Sequence, residues 1–121
     1  MKFEDWLNSL LLNSIPNNII AFNFNLYESE TDKQYDVQLV GSSYYSIDDE
    51  DWACNTEYSS GEILFSFMSD EWEIALQDFI NLLKKYLQLA DMSNRLKQAE
   101  YITAGFVDGD LEIVSKNGFL M

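Results

Sequence analysis

The stretch DEWEIALQDFINLLKKYLQLA, residues 70–90, decides the fold. Trp72, Ala75, Leu76, Phe79, Ile80, Leu83, Tyr86, Leu87 and Ala90 recur at steps of three and four, which draws one apolar stripe along a helix. Ser69 or Asp70 is placed to cap the first turn. Asp70, Glu71 and Glu73 bring negative charge to the positive end of the helix dipole, and Lys84 and Lys85 lie toward the other pole. The spacing predicts a helix over 70–90, the longest in the chain, buried along Trp72, Leu76, Phe79, Ile80, Leu83 and Leu87. Such a stripe needs a cover, and the neighbouring segments alternate as strands do, so the cover is a sheet.

Upstream, Ile20, Phe22, Phe24 and Leu26 alternate with Ala21, Asn23, Asn25 and Tyr27, the pattern of a half-buried strand. After a polar turn over residues 28–33, Tyr35, Val37 and Leu39 alternate with Asp36, Gln38 and Val40, a second strand returning antiparallel to the first. Ile63, Phe65 and Phe67 place a third strand within residues 62–68. Nearer the N-terminus, Phe3, Trp6, Leu7, Leu10 and Leu11 have helical spacing that ends around Pro16. Downstream, residues 92–99 allow one short helical turn. Residues 101–107 and 111–115 form a hairpin over Asp108, Gly109 and Asp110, the strongest turn signal in the chain, and Asn117-Gly118 makes a last turn before an apolar tail. The reading is an α+β fold: a mostly antiparallel sheet with one long amphipathic helix packed across it and a short N-terminal helix, forming a single domain over residues 1–121.

With 121 residues and 47% apolar content, the chain is sized for one core, and its net charge of −14 makes it repel itself. Glu4 and Asp5 stand where a secretory signal carries positive charge, and no run approaches the roughly 20 apolar residues of a membrane span, so the expected compartment is the cytoplasm. Strong negative charge opposes both anionic lipid surfaces and nucleic acid phosphates, and the basic residues do not cluster beyond Lys84-Lys85. A charged partner is therefore expected to be a basic protein, with no nucleic acid and no membrane involved.

Catalytic chemistry is sparse. The chain has no histidine, which removes Ser-His-Asp and Cys-His arrangements together with the commonest general base. Cys54, the single cysteine, excludes an internal disulfide; it lacks the positive neighbours of a reactive thiolate and reads as a small buried or half-buried filler. No glycine-rich phosphate loop is present. Asp48, Asp49, Glu50, Asp51, Asp108, Asp110 and Glu112 keep a carboxylate-based hydrolase in view, but none of them follows the spacing of a calcium loop. No catalytic residue, metal ligand or cofactor is assigned.

The remaining signal is charge. Between Gln34 and Leu83 there is no lysine or arginine, while acids run through the whole interval and reach four in a row at Asp48, Asp49, Glu50 and Asp51. Tyr44, Tyr45, Trp52 and Tyr58 flank that run, and large aromatics beside charges are the usual composition of protein-binding hot spots. These eight residues form the expected partner-binding surface, with the acids steering and the rings anchoring. The bland alternative is a solvated acidic surface around ordinary core aromatics.

Residues 35–43, YDVQLVGSS, followed by Asp48-Asp49-Glu50-Asp51-Trp52-Ala53-Cys54 and then an amphipathic helix, resemble the small acidic immunity proteins of bacterial polymorphic and contact-dependent toxin systems over the middle half of the chain. The resemblance implies a non-enzymatic cytoplasmic protein that binds one cognate toxin domain, often a basic nuclease, and blocks its active site. The acidic patch then stands in for substrate phosphates. The alternative is an acidic protein-binding or adaptor domain unrelated to toxins.

Overall fold

The alternating segments form β1 (Ala21–Glu28) and β2 (Gln34–Ser42), antiparallel with Phe24 opposite Leu39. In this register Phe22, Phe24 and Leu26 share one face with Val37 and Leu39, and all five are buried. Two further strands run along the outer edge of β2. β3 (Tyr58–Ser59) pairs at Val40 and Gly41, and β4 (Phe65–Met68) pairs from Gln34 to Val37. Between them the chain kinks at Gly61, whose φ is 62°. This turns the Ile63 carbonyl to accept from the Trp6 indole N–H at 3.0 Å. Ile63 itself is exposed, so the strand expected within residues 62–68 is β4 and begins at Phe65, while β3 was not expected.

The computed structural model describes residues 2–13, 15–46, 48–54, 56–90 and 93–121. Among these, α1 (Phe3–Leu12), α2 (Trp72–Leu89) and the short α3 (Asn94–Lys97) are the α-helices. The turn expected over residues 92–99 has its first residue, Met92, outside the described residues. β5 (Tyr101–Phe106), β6 (Glu112–Lys116) and β7 (Phe119–Leu120) complete a seven-stranded sheet of order β3-β2-β1-β5-β6-β7, with β4 beside β3 on the edge of β2. Every pairing is antiparallel except β1 with β5 at the centre. That parallel pair follows from the long helix: β4 and β5 run the same way, and a parallel return requires a crossover.

Both α1 and α2 lie on the apolar face. Phe3 and Trp6 of α1 meet Phe65, Phe24 and Phe79 through ring contacts of 5.3–6.4 Å, and Phe79 of α2 also touches Phe67. The Tyr86 hydroxyl ties the helices together by donating to Asn8 Oδ1 at 2.6 Å. Burial, with a smaller contribution from the Glu4 charge, pushes this phenol up to about 12. At the helix start the structure differs from the sequence reading. Glu71 occupies the cap position without a side-chain hydrogen bond, and Ser69 Oγ bonds Asp78 instead. Trp72 is 54% exposed and Leu76 half-buried, although both were expected to be buried.

The last turn shows Asn-Gly chemistry. Asn117 and Gly118 have φ of 52° and 85°, the left-handed pair of a two-residue hairpin, and they fold Phe119 back onto Lys116. The connection at Asp108-Gly109-Asp110 is longer, and Gly109 lacks a positive φ. The glycine that matters there is Gly105, where a Cβ would lie 2.5 Å from the Asp110 carbonyl oxygen. Its bare backbone lets the turn fold down against β5.

Candidate functional site: an acidic end of the sheet

The face of the sheet away from the helices is polar at its centre. Asn23, Asn25 and Thr103 project from it, and Asn23 and Thr103 are buried. They satisfy one another: Thr103 Oγ1 donates to Asn23 Oδ1 at 2.9 Å, and Asn23 Nδ2 donates to Asn25 Oδ1. Beside them Tyr27 donates to Gln38, whose amide donates in turn to the Gly61 carbonyl. Buried polar groups require such partners.

The cover over this face is the loop between β2 and β3, which carries the acidic run. Its two ends are pinned where Glu57 N–H donates to the Gly41 carbonyl and the Glu57 carboxylate accepts from Ser43 N–H. Residues Glu50–Cys54 make a 3-10 turn, and the Asp49 carboxylate accepts the Asp51 N–H at its start. The turn points one ring inward. Trp52 is only 2% exposed and meets Tyr45 edge to face, while Tyr45 stacks on Tyr101 of β5. Burial raises the Tyr45 phenol, helped by Tyr101 and Glu50.

The eight expected contact residues therefore divide. Asp48, Asp49, Glu50 and Asp51 stand in solvent, as does Tyr44. Trp52 is a packing residue of the back layer and is corrected as an anchor: its indole has no free face to offer a partner. Tyr45 is half-buried in the same layer, and Tyr58 is half-buried against the main core, its phenol raised by burial. Cys54, expected as filler, is exposed.

Nothing local in the sequence signals that the acidic run meets a second acidic element. Glu50 Oε2 accepts the Leu111 N–H at 2.6 Å and so fastens the run to the β5–β6 turn, which carries Asp108 and Asp110. An open cleft of about 330 Å³ lies between Asp48, Glu50 and Asp110, and another of about 560 Å³ has Glu50, Asp51 and Asp108 over the Asn23–Asn25 floor. A third groove of about 750 Å³ opens around the other side of the same turn, where Trp72 and Phe106 are rimmed by Glu28, Asp108, Asp110 and Glu112. Among the described residues the one ion pair joins Lys33 and Asp70, 3.8 Å apart at the surface, so these carboxylates have no cation within ion-pair distance. No group of three or more acids or cysteines among the described residues is arranged to hold a metal ion, and no helix there is long and apolar enough to cross a membrane. The arrangement is suited to attracting positive charge over a broad surface.

No family model, curated protein or solved structure matches the chain.

Proposed function

We propose that this chain is a non-enzymatic binding protein of the immunity type, which attaches to a cognate toxin domain with a basic cleft and blocks it. The observation that supports this reading is the Glu50–Leu111 hydrogen bond, which gathers the acids of two distant segments at one end of the sheet, with no cation among the described residues in ion-pair contact with them. Uncompensated carboxylates raise the energy of the isolated surface, and a basic partner relieves it. The cleft of a nuclease, shaped to hold phosphates, carries the complementary charge.

The test is neutralisation. The product of the neighbouring reading frame is expressed alone and together with this chain, and the purified pair is weighed by light scattering. Rescue of growth with a one-to-one complex is the expected result. A stable complex with a basic protein that harms no cell would instead favour the adaptor reading.

A further inference from the structure

We propose that the groove between the first turn of α2 and the β5–β6 turn receives an arginine side chain of the basic partner, an inference that rests on the reading above and adds where the partner is gripped. Of the three tryptophans in the chain, Trp6 and Trp52 are buried at 0% and 2% exposure, whereas Trp72 is 54% exposed. Its ring is nevertheless held: Phe106 meets it edge to face, with centroids 6.1 Å apart and planes at 85°. A half-exposed indole packed on a second ring is open to a partner, and tryptophan is enriched among the anchors of protein interfaces.

The rim selects the occupant. Carboxylates at Glu28, Asp108, Asp110 and Glu112 border the groove, no lysine or arginine lines it, and Leu76 beside Trp72 gives an apolar wall. An anionic or purely apolar ligand is opposed by that rim, and a second copy of this chain is opposed by its own charge of −14. Among cations, guanidinium fits the chemistry better than ammonium. It is planar, stacks on an indole face, is weakly hydrated and offers a donor fork to a carboxylate, while its methylene stem lies on the apolar wall. Asp108 also borders the back-face cleft under the acidic run, so the surface that attracts a basic chain is continuous with the groove that holds it.

The test is a titration of the full chain with hexa-arginine and hexa-lysine peptides at low salt, followed by calorimetry and by tryptophan emission. The arginine peptide is expected to bind about three- to fivefold more tightly and to shift the emission of Trp72, the half-exposed tryptophan, a shift that Trp72→Leu should remove. Trp72→Tyr should keep the preference and Trp72→Leu should abolish it, both with parental melting curves. Equal binding of the two peptides, or a preference that survives Trp72→Leu, would overturn the groove assignment while leaving the acidic-surface reading intact. If neither peptide binds at low salt, the basic-partner reading fails with it.

Discussion

The ring of Tyr45 lies on that of Tyr101 with centroids 3.6 Å apart and planes at 15°. This contact, with Trp52 packed edge-on against Tyr45, ties the described part of the acidic loop to the back face of the sheet. Holding the loop backbone through these rings lowers the entropy lost when its acids engage a partner.

The two tryptophans near the acidic surface should accordingly behave in opposite ways. Trp52→Ala removes a fully packed ring and should cost about 3–5 kcal/mol in stability. Trp72→Ala, at a half-exposed position, should leave the melting temperature close to that of the parent and act on binding instead. Thermal melts of the free proteins separate the two, and equal losses would contradict the assignment of layers.

Phe79 is the centre of the main core, at 0% exposure and in ring contact with Phe3, Phe24 and Phe67. Phe79→Ala should cost about 3–5 kcal/mol, a large share of the stability of an ordinary domain. Denaturant titration measures it. A shift below about 1 kcal/mol would mean that the helix is not held to the sheet as described.

Alkaline stability should follow the buried phenols. The Tyr86 pKa is about 12 when folded and 10.0 by reference, so the folded state holds its proton over that interval while the unfolded state releases it. The stabilisation is complete below pH 10 and is lost as pH rises toward 12. Tyr35, Tyr45 and Tyr58 are also raised, chiefly by burial, and add in the same direction. Unfolding free energy measured against pH should fall over this window, and Tyr86→Phe should fall less steeply there while starting lower for want of the Asn8 hydrogen bond.

Gly105→Ala tests the joint between the two acidic segments. A methyl group 2.5 Å from the Asp110 carbonyl cannot be accommodated without moving the turn, and the Leu111 amide follows directly after that residue. Loss of hydrogen-exchange protection at the Leu111 amide, with a lowered melting temperature, is expected. Unchanged protection would show that the Glu50 contact does not depend on the close approach.

The main architecture was legible because its signals are local. The stripe of residues 70–90, the alternation of residues 20–27 and the Asn117-Gly118 turn each name their element without knowledge of neighbours. Periodicity failed at Trp72, whose spacing fits the stripe although it stands at the helix start over the edge groove, against Phe106. Composition failed at Trp52, where the four exposed acids directly before it conceal that the 3-10 turn directs one ring inward. Asn23 alternates with the apolar residues of a half-buried strand, yet it is buried beneath the β2–β3 loop with Thr103, and sequence does not reveal that a loop will fold back over a sheet face. The pairing of Glu50 with Leu111 spans 61 residues and leaves no local trace.

Association kinetics test the central claim most directly, that the acidic end of the sheet steers a basic partner. Asp48→Asn, Asp49→Asn and Asp51→Asn are combined; asparagine keeps an acceptor for the Asp51 position's N–H, and Glu50 is left to hold Leu111. Exposed charges are screened beyond about 8 Å at physiological ionic strength, so the parent should associate quickly at low salt and slow steeply as salt rises. The triple variant should associate more slowly and with a shallower salt dependence, while its dissociation rate stays within about twofold of the parent's. Identical association rates for parent and variant with the cognate basic partner at low salt would contradict the account and leave the acidic run a solvated loop.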